Sequence, residues 1–370
     1  MTYLIRTSNQ NDTNIIVNFN KELEKHGFNF FLPIPDPKIV NTNDFILKNN
    51  LILIENDITV RAGYTLKSQW FQVNDELLQI GYYYQPVSAA LFNKKYNICG
   101  VLLLNDAQKK HPYLFSLGMG GYSKPLPKLL KSLNWKLNKV PFFFKIFNPN
   151  PFLKNIKYLK KTKTKSFFIN LMLFTGLGWL FIKFFFQFLS LFNIQIKKIE
   201  NLEVQEIELF DQDFDEVWDD SKQYKSFSAV RNCKYLKTLY SDKKFIKLKF
   251  AKNNKIVGWS ISLCNKLNNH DYFGNMKLGS IVDCLCLKSY ETNIVRQTLE
   301  ILKNRSADLI VSNQSHIFWK NAFKKNSFIN GPSNYIFASS KLLSDRLMKD
   351  KKLENYVHLT RGDGDGPINL

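Results

Sequence analysis

The chain has 370 residues, 45% of them hydrophobic and 22% charged. That is enough apolar material for a sizeable core in two ordinary domains or one large one, and it excludes collagen-like, coiled-coil and disordered classes. A count of 52 Lys and Arg against 31 Asp and Glu gives a net charge of +21, which points to a polyanionic partner, either nucleic acid or a membrane surface.

Residues 51–55 and 58–66 read as consecutive strands around Asn56-Asp57, a hairpin turn. Residues 77–85 form a third strand. Residues 100–110 read as a helix ending before Pro112, and 113–118 as a short strand running into Gly118-Met119-Gly120-Gly121. A helix over 125–134 and a strand over 140–147 complete a first half, 1–150. Residues 154–165 then carry six Lys and no acid, and 166–192 hold Lys183 as their only charge. Residues 199–221 reverse the sign, with ten acids and no base. These shifts mark 151–200 as a segment of its own. The next part, 201–345, reads as a strand at 203–209, helical residues from 213 to 240, and strands 245–251 and 255–263 around Lys252-Asn253-Asn254. A strand at 280–287, a helix at 291–304, a strand at 308–312, a helix at 315–325 and a strand at 334–339 follow. Residues 346–370 form a tail with a Gly/Asp motif.

The five cysteines are irregularly spaced and odd in number, so they read as core thiols and not as a disulfide framework. No zinc spacing is present and no metal is expected. The N-terminal stretch lacks the basic-then-apolar pattern of a secretory leader, so a cytoplasmic chain is expected. No Ser-His-Asp elbow, P-loop or HExxH motif appears. The 27 residues 166–192 are long enough, as a helix, to cross a hydrocarbon core of about 30 Å. Three readings stand: a buried connector with a break at Gly176 and Gly178, an interfacial anchor with the Lys block facing anionic headgroups, or a true span.

The two halves share one element order, and several blocks carry a family resemblance. VRNCKYLKTLYSDKKFIKLKFAKNNKIVGWSISL at 230–263 and LTRGDGDGPINL at 359–370 resemble GNAT-fold proteins associated with surface-polysaccharide genes. GYYYQPVS at 81–88, LFSLGMGGYSKPLPKLLKSLNW at 114–135 and VPFFFKIFNP at 140–149 are similar to further blocks of that family. The arrangement resembles the tandem GNAT fold of Fem-type aminoacyl transferases. The resemblance implies α/β architecture with mixed sheets: two tandem GNAT-like domains joined by a basic segment and a hydrophobic helix. It also implies an N-acyltransferase that moves an acetyl, acyl or aminoacyl group to an amine. The acceptor would be an amino-sugar or a lipid-linked glycan in cell-surface glycan assembly, at the inner face of the membrane.

The implied donor is acyl-CoA (acetyl-CoA), or another activated acyl donor such as one borne on tRNA. Its pyrophosphate is expected at the start of the helix after the splayed strands. In the second half that position is Lys288-Ser289-Tyr290, which lacks the family's glycines. In the first half the only glycine of the segment after Gln85 is Gly100. The base expected for amine deprotonation is Asp283 at a strand end, with Tyr84 as a candidate acid and His316 as an alternative base. A backbone-bonded Asp, a packed Tyr and a helix-capping His are the bland readings of the same three residues. Arg231, Arg361, Asp363 and Asp365 are the expected substrate contacts, with a salt bridge and a flexible tail as the alternatives. A non-catalytic glycan- or lipid-binding protein on a degenerate GNAT fold is the rival function. A nucleic-acid module is disfavoured because the Lys are clustered and no recognition motif is present.

Overall fold

The computed structural model describes residues 2–36, 45–160, 162–192, 202–347 and 356–364. They form two compact units, one built from 1–139 with 334–351 and the other from 140–333 with 352–370.

The first unit contains β1 (Tyr3–Thr7), α1 (Thr13–Lys25), β2 (Ile46–Glu55), β3 (Thr59–Val73), β4 (Glu76–Ser88), α2 (Ile98–Lys110), β5 (Leu114–Gly118), α3 (Pro125–Ser132) and β6 (Lys136–Lys139). The second unit contains β7 (Phe142–Ile146), α4 (Pro149–Asn155), α5 (Lys163–Phe174), α6 (Leu177–Phe192), β8 (Glu203–Glu206), α7 (Phe214–Lys222), β9 (Phe227–Ala229) and α8 (Cys233–Leu239). It continues with β10 (Ile246–Lys252), β11 (Lys255–Lys266), β12 (Lys277–Cys286), α9 (Glu291–Asn304), β13 (Leu309–Asn313), α10 (Ile317–Lys325) and β14 (Ile329–Gly331). The chain then returns to the first unit for β15 (Ile336–Ser339) and α11 (Lys341–Leu347), and ends in the second with β16 (Val357–His358).

The hairpins follow from turn chemistry. Asn56 and Asp57 both take positive φ, as do Asn253 and Asn254, which is the two-residue turn that matches the twist of paired strands. α1 buries Ile16, Phe19 and Leu23 on one face, and α9 buries Ile294, Val295, Leu299 and Leu302, so each helix lays an apolar stripe on its sheet.

The two sheets share one order. The first runs β1-β2-β3-β4-β5-β15-β6 and the second, read from its other edge, β8-β10-β11-β12-β13-β7-β14. In each, a four-stranded antiparallel meander meets a parallel fifth strand, and two antiparallel strands close the far side. The sixth position is filled by an exchange. β15 enters the first sheet from late in the chain, and β7 sits in the second sheet between β13 and β14. The strand expected at 140–147 therefore forms, but it completes the second sheet and not the first. Its Phe143 packs on Phe323 of that unit, which gives the apolar strand its partner.

Two further expectations change. The helical stretch at 213–240 is broken by β9, because 225–231 is buried throughout and pairs in parallel with β16. The apolar segment 166–192 is not one helix. Gly176, at φ +72 with open space around its Cβ position, turns the chain so that α5 and α6 meet at 85°. Both helices pack inside the second unit through Ile169, Leu173, Ile182 and Phe186.

Residues 1–139 expressed alone lack the strand that separates β5 from β6. They should aggregate or melt without a cooperative transition. The same segment joined by a flexible linker to 334–347 should recover a sigmoidal thermal transition by circular dichroism.

Candidate functional site

In each sheet the parallel pair parts after a short contact. β12 and β13 pair from Leu278↔Leu309 to Ile281↔Ser312, and then β12 runs on to Cys286. A register shift against β11 falls at the same level, between Ile261 and Ser262. Asp283 lies just past this divergence.

Asp283 is buried, and its carboxylate is fully engaged. It accepts from Arg231 Nε at 3.0 and 3.2 Å, from the Tyr240 hydroxyl at 2.8 Å and from the Cys284 N–H at 2.9 Å. Burial, the largest single effect, raises its pKa, but the Arg231 charge and hydrogen bonds together with the neighbouring His358 outweigh it and hold it down to about 2. A carboxylate in this state is a poor proton acceptor and does not reach solvent, so the expected general base is instead an anchor.

Arg231 is 1% exposed and spends its donors inside the protein. Besides Asp283, it donates through Nη1 to Ser228 Oγ at 2.8 Å and the Ala229 carbonyl at 3.0 Å, and through Nη2 to both Asp363 oxygens at 2.9 and 2.8 Å. The expected substrate clamp thus grips the chain's own tail. Asp363 also accepts from the Thr360 N–H at 2.8 Å, and Thr360 Oγ1 accepts from the Gly362 N–H at 3.1 Å, a capping box closing a short turn at Arg361–Asp363. Arg361 donates to Asn313 Oδ1 at 3.2 Å. Asp365 lies outside the described residues.

The tail fills the gap between the parting strands. Thr360 bridges Gln314, the Ser315 N–H donates to the Leu359 carbonyl at 3.2 Å, and Gly362 lies against Asp283. A Cβ on Gly362 would come within 2.1 Å of the Tyr240 hydroxyl and 3.2 Å of Asp283 Cβ, so only glycine fits. His358, fully buried, sits with Nε2 at 3.9 Å from Asp283 Oδ1 and makes no hydrogen bond through either ring nitrogen. Burial, reinforced by the Arg231 charge, keeps it neutral.

The remaining sites of the second unit are also occupied by the protein itself. His316 caps α10: its Nδ1 accepts from the Phe318 N–H at 3.3 Å and its Nε2–H donates to the Tyr224 carbonyl at 3.0 Å. Burial drops its pKa to about 4. At the start of α9, Ser289 takes φ +82 and the Ser289 and Glu291 backbone groups hydrogen-bond the Glu291 carboxylate. An anion of the chain's own holds the place expected for a pyrophosphate. Lys288 lies over the Tyr224 ring at 5.1 Å, and Lys252 over Tyr290 at 5.9 Å. Lys225, buried and donating to the Ser221 carbonyl at 2.6 Å, has its pKa pulled by burial down to about 7. The pyrophosphate cradle of an acyl-CoA does not fit the second unit.

The first unit differs. β4 and β5 pair only at Gly81↔Leu114 and Tyr82↔Phe115, and then diverge. The Tyr82 hydroxyl donates to the Leu117 carbonyl at 3.1 Å, and Ser116 Oγ donates to the Tyr83 carbonyl, bridging the strands at the fork. Beyond it, Tyr84 is half-buried with its ring 5.2 Å from that of Tyr82, and Gln85 takes φ +47. The end of β5 turns through Gly118, Met119, Gly120 and Gly121, all at positive φ, which explains three glycines there. Lys94 and Lys95 are exposed on the short turn that leads into α2. Among the described residues, no group of three or more His, Cys, Asp or Glu is placed to hold a metal.

Sequence reasoning missed Tyr240 and Ser228 as partners of the Arg231 cluster. The Thr360-x-x-Asp363 spacing is a capping-box signal that could have marked the tail turn; nothing local marks Tyr240.

No protein-family model and no curated protein matches the sequence. By structure the chain is similar to a GCN5-related N-acetyltransferase from Anabaena variabilis, over 91% of this chain and 72% of that one, with a TM-score of 0.52 and 9% identity. It is likewise similar to a conserved Enterococcus faecalis protein described as a probable N-acyltransferase, over 94% of this chain and 74% of that one, with a TM-score of 0.52 and 9% identity. The chain has the GNAT fold, with mixed α/β sheets in both units.

Arg231→Met leaves two buried carboxylates without their cation. It should lower the urea-unfolding free energy by roughly 3–5 kcal/mol, and replacing Asp283 and Asp363 by Leu in the same background should restore most of it. The buried histidines set a pH dependence. Both have folded pKa values below their unfolded value of about 6.5, so the unfolded chain binds more protons and stability falls as pH drops below it. For His316 the slope should approach about 1.4 kcal/mol per pH unit as pH falls from roughly 6.5 toward its folded value of about 4, His358 adding in the same direction, and His316→Asn, which keeps a capping side chain, should remove its share.

Proposed function

We propose that the chain is an N-acyltransferase whose first unit holds the acyl donor, while the second unit's cleft is closed by the tail. The observation that carries this reading is the contrast between the two forks. In the first, β4 past Tyr84 pairs with β3 on one side and, among the described residues, with no strand on the other, and β5 ends in the glycine turn. In the second, the same space holds Thr360, Arg361 and Gly362.

A bound acyl thioester would supply the activated acyl carbon for attack by an amine. The β4 edge past the fork would align the donor's amide groups, as an added strand does. Lys94 and Lys95, with the N–H groups at the start of α2, would face its phosphates. The Tyr84 hydroxyl stands at the mouth of the fork and would hold a proton for the departing group. The amine acceptor is read as an amino-sugar of a surface or lipid-linked glycan, supported by the sequence blocks at 230–263 and 359–370. The net charge of +21 is in keeping with an anionic donor, acyl-CoA or aminoacyl-tRNA. The rival, a non-catalytic binding protein on this fold, is favoured by the lack of any glycine between Gln85 and α2, Gly100 falling inside the helix, and by the filled second fork.

Titrating the full chain with acetyl-CoA and longer acyl-CoAs by calorimetry separates the two. One site per chain is expected, weakened tenfold or more by Lys94→Glu with Lys95→Glu. Tyr84→Phe should bind as well but turn over about a hundredfold slower. No binding to any thioester or aminoacyl-tRNA would leave the binding-protein reading standing.

A further inference from the structure

We infer that α5 and α6 form a monotopic anchor that lies in the surface of an anionic lipid bilayer. The inference is independent of acyl transfer. The two helices are apolar around most of their circumference, yet only one stripe of each is covered. Ile169, Leu173, Ile182 and Phe186 face the core that includes Phe152, Leu153 and Ile156. The opposite faces present Phe167, Phe174, Phe181 and Phe184, exposed by 64, 90, 64 and 63%, together with Leu171 and Leu177. A helix apolar on all sides belongs in a core or in lipid, and a contiguous exposed patch of this kind marks an interaction surface.

The charges choose the occupant. Lys154, Lys157, Lys163 and Lys165 are exposed along the approach to α5 and on its first turn, with no acid between 154 and 192. Two lysines at a helix N-terminus oppose the helix dipole, so nothing within the helix favours them there. A layer of phosphate headgroups would satisfy them, and the aromatic faces beyond would enter the acyl region. Lys183, the one charge on α6, lies over the Trp179 ring at 4.5 Å, an arrangement in which a long side chain keeps its ammonium at a polar boundary.

Geometry sets the depth. Among the described residues no single helix is long and apolar enough to cross a membrane, and the bent pair turns through 85°. The bend lets both helices lie near the plane of one leaflet while their inner stripes stay on the protein. At the bend, an open groove of about 740 Å³ has Asn150, Lys154 and Asn155 on one bank and Leu173, Phe174 and Trp179 on the other. Polar and apolar banks facing each other fit the boundary between headgroups and acyl chains.

The test is co-sedimentation of the full chain with vesicles of phosphatidylcholine alone or with a third phosphatidylglycerol. Binding should be at least tenfold tighter to the anionic vesicles and should weaken as salt rises. Lys157→Gln with Lys163→Gln and Lys165→Gln should lose roughly a hundredfold. Phe174→Ser with Phe181→Ser and Phe184→Ser changes only outward side chains, so it should melt like the parent but no longer sediment. Brominated lipids should quench a tryptophan signal that Trp179→Phe removes. The inference is overturned if the chain stays in the supernatant with both vesicle types, or if the Phe variant binds unchanged. It is equally overturned if the parent forms dimers that the Phe variant lacks and neither binds vesicles, since a second copy would then cover these faces.

Discussion

A guanidinium without access to water is tolerable only when every N–H finds an acceptor and its charge meets an opposite one. Arg231 satisfies both conditions, and the inner end of the second unit is arranged to make that so. Its partners come from three separate places: Ser228 and Ala229 beside it, Asp283 on β12, and Asp363 in the tail. Tyr240 joins through Asp283. One cation facing two carboxylates leaves an excess of negative charge, and burial, with repulsion from Asp283, pushes the Asp363 pKa up in response. The Thr360 N–H and the neutral His358 ring fit around that excess. Removing any one member leaves a buried charge for the others to carry, so the tail, the β12 strand end and β9 are fixed as a set.

This cluster distinguishes two sheets with the same strand order. A parallel pair that parts leaves backbone groups on the inner edges in need of partners. The second unit satisfies them with its own tail and its helix start with its own carboxylate. The first unit bridges the base of its fork through Tyr82 and Ser116. A residue type that reads as catalytic in the pattern, an Asp at a central strand end, therefore became structural where the cleft closed.

The sequence was informative wherever the information is local. Asn56-Asp57 and Asn253-Asn254 announced their turns because few other residues accept positive φ in succession. The helix at 291–304, α9, was legible from its apolar positions. The capping reading of His316 was also legible, as the residue between a strand and an apolar helix. The sheet membership of β7 was not, since FFFKI is equally apolar against either sheet and pairing is decided by distant strands. Nor was the fate of Asp283, whose partners Arg231 and Tyr240 lie 52 and 43 positions away in the chain. The apolar run at 166–192 showed its composition but not its break, which depends on one glycine adopting a conformation open to several residues only at a cost.

The exchange of β7 and β15 has a consequence for how the protein is made. On a ribosome, β6 emerges almost two hundred residues before β15, the strand that must sit between it and β5. At roughly 5–20 residues per second, that interval lasts on the order of 10–40 s. Throughout it, the nascent first sheet carries two unfilled edges, Leu114–Gly118 and Lys136–Lys139, and cannot close. Made long after its two neighbours, β15 thus acts as their lock, and a chain released early would present the open edges to its neighbours.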